Sequence, residues 1–222
     1  MTLIVTSEYA INQVAAPNLP LATTEYSQQY QDQLNNVLRL YFNRLDSILD
    51  QLKTGSGSID GSGVRFPYGA FSSDQDQSTT ANTATLMTLN TTDFSNDVSI
   101  SSSKITVTNA GIYNLQFSAQ FQNTDNQIQD ISIWLKQNGT DIAGSTGLVS
   151  IPARKSASAG EEAHEIIGWN YYVSMAANDY IEIYWSATLA SVTIQNYAAG
   201  TSPTRPSTQS VVATLSFVSA LP

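Results

Sequence analysis

Between residues 24 and 53 apolar side chains recur at Tyr30, Leu34, Val37, Tyr41, Leu45, Ile48 and Leu52. Spacings of three and four place them on one side of an α-helix, and Leu38 and Leu49 widen the stripe. No Gly or Pro interrupts the stretch. Thr23 or Thr24 is placed to cap its start, Glu25 suits the positive end of the macrodipole, and Gly55 and Gly57 stop it just after Lys53. The pattern therefore predicts one helix about 45 Å long. Such a stripe packs on the chain's own domain or bundles with the same helix from other copies. Its length, and the segment after it, favour a trimeric bundle, with the seven stripe residues as oligomerisation or docking positions.

Residues 54–63, TGSGSIDGSG, have the composition of a flexible tether. From residue 64 onward the period changes to two. Tyr113, Leu115, Phe117, Ala119 and Phe121 alternate with polar residues, and so do Ile131, Ile133 and Leu135. Ile181, Ile183 and Trp185 form a third such run, and Val211, Ala213, Leu215 and Phe217 a fourth. Turn residues at Asn109–Gly111, Asn138–Gly139, Asn178–Asp179 and Gly200–Pro206 separate them. Eight or so strands without an intervening helix predict a β-sandwich or barrel over 64–222. Residues 1–23, with a strand-like run from Leu3 to Thr6 and prolines at 17 and 20, read as an extended arm that docks elsewhere.

Composition narrows the function. Only 12% of the 222 residues are charged, and the polar surface is written in Ser, Thr, Asn and Gln. A coat of that kind suits packing on copies of itself or exposure outside a cell. With nine basic residues and a net charge of −9, the chain lacks the Lys/Arg clusters that nucleic acid requires. There is no cysteine, so disulfides and thiolate metal sites are excluded. The opening MTLIVTSEYAINQV reads as neither a secretory signal nor a membrane-inserting span. An extracellular role is then expected to rely on another export route or on lysis.

No constellation for catalysis stands out. His164, the one histidine, lies in Glu161-Glu162-Ala163-His164-Glu165 without the second histidine of a zinc-protease helix. Ser156, Ser158 and Ser174 lack a nucleophile-elbow sequence. The stretch is expected to be a solvated acidic loop. The acid pairs Asp74/Asp76 and Asp93/Asp97 fit no calcium loop, and surface positions are expected. The chain is therefore expected to be no enzyme and to need no metal or cofactor. Recognition falls to aromatic residues: Phe71, Trp134, Trp169, Tyr171, Tyr172 and Tyr184, with Tyr197 beside them. Trp134 and Tyr184 fall on the face opposite the aliphatic residues of their strands. Such outward rings fill a subunit interface or stack on a ligand such as a host-surface glycan; pattern alone leaves both open.

The order of these motifs resembles the jelly roll shared by tumour necrosis factor and the complement globular head. The residues that carry it are Gly69-Ala70-Phe71-Ser72, then Ile105 to Gly111-Ile112-Tyr113, then Ile133-Trp134-Leu135-Lys136-Gln137-Asn138-Gly139. Tyr172 to Tyr184, with Asn178 where that family usually has Gly, and a closing strand Val211–Val218 complete it. The resemblance implies a jelly-roll sandwich head and a homotrimer; with the helix that the apolar stripe predicts, the expected fold is mainly β, a jelly-roll head preceded by a single long N-terminal α-helix. The first 55 residues resemble N-terminal segments of small virion proteins from tailed phages of marine bacteria, through Pro20 to Tyr30 and Leu38-Arg39-Leu40-Tyr41-Phe42. That resemblance implies a structural virion protein: a trimeric knob attached to other virion proteins through residues 1–53, as a head decoration, head fibre or tail-fibre part. The alternative is a cell-surface or secreted bacterial binding module of the same fold; a glycan depolymerase is the least favoured reading.

Overall fold

Ser27, not either upstream threonine, caps the helix. Its Oγ accepts the Tyr30 N–H at 3.3 Å, satisfying an otherwise orphaned amide, and its carbonyl accepts the Gln31 N–H at 3.1 Å as the first bond of the helical ladder. Helix α1 runs Gln28–Thr54 and has no acidic residue in its first turn. Thr24 and Glu25 thus precede it, which corrects the expected start and the expected dipole partner. The computed structural model describes residues 16–22, 24–54, 66–156 and 161–221. The strand-like run Leu3–Thr6, the cap candidate Thr23, the side chain of Leu52 and nearly all of the glycine-serine tether lie outside the described residues; Thr54, expected in the tether, is the last residue of the helix.

The chain divides into two compact units, Met1–Arg65 and Phe66–Pro222. In the first, Tyr30, Leu34, Val37, Leu38, Tyr41, Leu45 and Ile48 are half-buried, whereas Leu40, Phe42 and Leu49 are about half exposed. The stripe is one face, as its spacing dictates, but Leu49 lies outside it.

The second unit is a sandwich of two seven-stranded antiparallel sheets. Its ten principal strands are β1 (Tyr68–Ser73), β2 (Thr91–Asn96), β3 (Val98–Ser101), β4 (Lys104–Val107), β5 (Gly111–Asn123), β6 (Gln129–Gln137), β7 (Gly147–Ile151), β8 (Ala163–Met175), β9 (Tyr180–Ala187) and β10 (Val211–Ser219). The first sheet has the order β2-β1-β10-β5-β8, and the second β3-β4-β9-β6-β7. Neighbours distant in sequence pair in both sheets, which is the jelly-roll arrangement of a mainly β chain with one N-terminal helix. Two-residue strands at Gln77–Ser78, Thr85–Leu86 and Thr140–Asp141, with Val192–Ile194, extend the sheets at their ends.

Strict alternation fills the space between the sheets. Tyr113, Leu115, Phe117, Ala119 and Phe121 of β5 meet Ile131, Ile133 and Leu135 of β6 and Ile181, Ile183 and Trp185 of β9 in one core, joined by Val211, Ala213 and Leu215. Each large side chain sequestered there contributes on the order of 2 kcal/mol. Trp185 packs edge-on to Phe121, with ring centroids 5.6 Å apart. Phe217 departs from the expected interior position. It is half-buried at the rim, stacked on Phe66 at 5.7 Å and edge-on to Tyr113 at 5.6 Å. Asn123 is fully buried but satisfied: its amide donates to the carbonyls of Gln127 and Pro152, both at 2.9 Å, and its Oδ1 accepts the Asp125 N–H.

Candidate functional site

The two sheets turn outward faces of opposite character to the surroundings. On the first sheet the registers align three rows across β1, β10, β5 and β8. They are Tyr68–Ser216–Asn114–Tyr172, Ala70–Thr214–Gln116–Asn170 and Ser72–Val212–Ser118–Gly168. No side chain in these rows is charged. Tyr172 is 60% exposed, and Ile166 of β8 and Phe94 of β2, also on this sheet, are exposed to a similar degree. Asn114 Oδ1 is buried and has no hydrogen-bond partner among the described residues.

The outer face of the second sheet carries charge and rings together. Register aligns Asp141, Lys136 and Glu182 across three strands with signs alternating, and Lys104 of β4 adjoins the row beside Ile105, the partner of Ile181. Lys136 Nζ lies 3.3 Å from Asp141 Oδ1 and 4.6 Å from the centre of the Tyr184 ring; Lys104 Nζ lies 4.2 Å above Tyr180. Cross-strand charge pairs and ammonium-over-ring contacts each add a few tenths to about 1 kcal/mol. Glu182 is only 5% exposed. Beside the charged row, Trp134 stacks on Tyr184 with centroids 5.9 Å apart and rings 30° from parallel. Its indole N–H donates to Asp141 Oδ1 at 2.8 Å.

The aromatic candidates therefore do not make one site. Trp134 and Tyr184 form the outward pair just described, and Tyr172 stands on the opposite face of the sandwich. Phe71 is fully buried and is core, because Tyr68, Ala70 and Ser72 take the outward positions of β1. Trp169 and Tyr171 also turn inward and pack against the core, Trp169 edge-on to Phe117 at 4.7 Å. The register of β8 on β5 decides this, pairing Trp169 with the inward Phe117 and Tyr171 with Leu115.

His164 is not in a loop. It sits near the start of β8, exposed, with its Nδ1 3.0 Å from the Tyr197 hydroxyl and the rings edge to face at 5.5 Å. Burial, then the charges of Asp76 and Glu162, push the Tyr197 pKa above its ordinary value. Pattern reading missed this contact because Tyr197 lies 33 residues along the chain. The acid pairs serve as local fasteners. Asp74 accepts from Asn90 at 2.6 Å, Asp76 from the Asn196 N–H at 2.8 Å and Asp93 from the Ser72 hydroxyl at 3.1 Å. Among the described residues no group of three or more His, Cys, Asp or Glu converges as metal ligands, and no helix is long and apolar enough to cross a membrane. The sequence matches no protein-family model and no curated protein.

Proposed function

We propose that the chain is a non-enzymatic structural protein of a tailed-phage virion, in which three copies form a jelly-roll knob held to the particle through the N-terminal segment. The observation that carries the self-association is the uncharged outer face of the first sheet. Twelve register positions without a charge and an exposed Tyr172 describe a surface that loses little by leaving water. Burying a charged face would cost several kcal/mol per unpaired ion; these three rows have none, and the Asp93 carboxylate at their edge is held by the Ser72 hydroxyl. The helix suits attachment: its half-buried stripe is still partly open to water, so a partner is needed to complete its burial. The virion assignment itself rests on the N-terminal resemblance at Pro20–Tyr30 and Leu38–Phe42.

The experiment has two arms. Light scattering on the full chain should give three times the chain mass, and a monomer at all concentrations would refute the trimeric knob. Antibody labelling of purified particles in the electron microscope should mark projections from the capsid or tail. Unlabelled particles from an infection in which the chain is expressed would refute the virion assignment.

A further inference from the structure

We propose that the outer face of the second sheet is a saccharide-binding surface on which a neutral pyranose stacks against Trp134. Tyr184 covers one side of the indole, the Asp141 carboxylate holds its N–H, and no second ring packs on it among the described residues. Its neighbours on the same face are small and hydroxylic: Ser132, two residues back on β6, and Ser186, directly opposite Ser132 on β9. Both are half-buried, and neither hydroxyl has a hydrogen-bond partner among the described residues. Ser132 is also paired with Leu148 of β7, which is 78% exposed. An indole fixed by a stack and a hydrogen bond, beside open hydroxyls, offers a flat apolar platform with donors and acceptors at its edge. A pyranose presents the complement, a C–H face and a rim of hydroxyls. Small-molecule sites combine apolar surface with a few placed polar groups in the same way.

Charge selects the class further. The alternating row of Asp141, Lys136, Glu182 and Lys104 sums to zero, and the exposed Asp130, two residues before Ser132 on β6 and accepting from the Ser150 hydroxyl at 2.6 Å, adds a negative charge that disfavours an acidic ligand. Glu182 is 95% buried by the 5% exposure that remains to it, and it makes no ion pair or hydrogen bond with the described residues. So deep a carboxylate leaves the hydroxyl contacts on this face to Ser132 and Ser186. The same row also argues against a second copy of the chain as the occupant, since a dry interface would desolvate four charges. The uncharged rows of the first sheet carry no such cost. The inference is a property of the head alone and stands whether or not the virion assignment does.

Saturation-transfer NMR on the full chain tests it, with methyl α-glucopyranoside, methyl α-mannopyranoside and methyl β-galactopyranoside as probes. Transfer to the ring C–H protons of at least one probe is expected, lost in Trp134→Ala and retained in part in Trp134→Phe. Thermal melting reports whether each variant folds. If Trp134→Ala does not, Ser132→Val and Ser186→Val replace it, and each should weaken binding by about tenfold, or about 1.4 kcal/mol. No transfer to any of the three probes overturns the proposal, as does unchanged transfer in the folded variants. A fall in assembly mass on Trp134→Ala would also overturn it, by placing a copy of the chain on this face. None of these outcomes alters particle labelling, so failure here is distinguishable from failure of the virion reading.

Discussion

Asn138 and Asp179, 41 residues apart, fasten two turns of the sandwich to each other. The Asn138 side-chain amide donates to Asp179 Oδ1 at 2.7 Å, and its Oδ1 accepts the Tyr180 N–H at 3.0 Å. The backbone N–H of Asn138 closes the set on the Tyr180 carbonyl. Asp179 also accepts from Gln137 Nε2 at 2.9 Å and from the Ala176 N–H at 2.8 Å. The β6 hairpin and the β8–β9 turn thus share one polar hub at the end of the second sheet.

Acid should loosen that hub. Burial acts to raise the Asp179 pKa, but hydrogen bonds from Asn138, Ala176 and Gln137 outweigh it and hold the carboxyl below its ordinary 3.8. A carboxylate depressed in the folded state adds stability that is present above its unfolded pKa and is lost as the pH falls through the folded value. Asp179→Asn should cost about 1 kcal/mol at neutral pH and flatten the stability loss below about pH 4. Urea unfolding at neutral and acid pH measures both; an equal acid loss in wild type and variant would refute the role.

Base should act on Tyr113. Its hydroxyl donates to the Asn109 carbonyl at 2.8 Å, and burial, then the charge of Asp97, pushes its pKa up to about 12. A raised value means that folding favours the neutral phenol, so its contribution is complete below the unfolded value of 10.0 and is lost as the pH rises toward about 12. Tyr113→Phe should lose about 1 kcal/mol at neutral pH through the missing hydrogen bond and resist alkaline unfolding better than the wild type in relative terms. Chemical denaturation at neutral pH and near pH 11 reads the difference.

Asn178 tests the turn. It has φ +67°, the left-handed region that Asn and Gly tolerate and other residues enter at a cost of about 1–2 kcal/mol. Its side chain makes no hydrogen bond among the described residues, so conformation alone should set the response. Asn178→Gly is expected to change stability by less than about 0.5 kcal/mol, whereas Asn178→Val should lower it by more than about 1 kcal/mol. Equal melting temperatures for the two variants would contradict this.

Core and face should respond differently. Phe71→Ala empties a fully buried position and should cost about 3–5 kcal/mol, with any effect on assembly following from misfolding. Gln116→Glu, at the centre of the uncharged rows, should leave the melting of the isolated subunit within about 0.5 kcal/mol while reducing the assembled mass to that of a monomer. A trimeric Gln116→Glu protein would move the contact surface away from the first sheet.

Local pattern by itself determined the kinds of element and most of the core. Periods of 3.6 and 2 are properties of a few consecutive residues, and so are the turn preferences of Asn138, Gly139 and Asn178, all of which have positive φ. Alternation therefore placed Leu115, Ile133, Ile183 and Leu215 inside and Trp134 and Tyr184 outside without any knowledge of partners. Where several residues were equally able to play one part, tertiary structure decided. Thr23, Thr24 and Ser27 are all competent caps, and only the first turn at Gln28 selected Ser27. The run His164 to Tyr172 has no alternation to read, so the pairing of β8 with β5 set which residues face in, turning Trp169 and Tyr171 to the core and Tyr172 to the surface. The same holds for the contacts of His164 with Tyr197 and of Asn138 with Asp179. Burial on one side of a strand follows from which sheet covers it, and contacts across tens of residues follow from register. Both are set by long-range pairing between strands, which no local window of sequence contains.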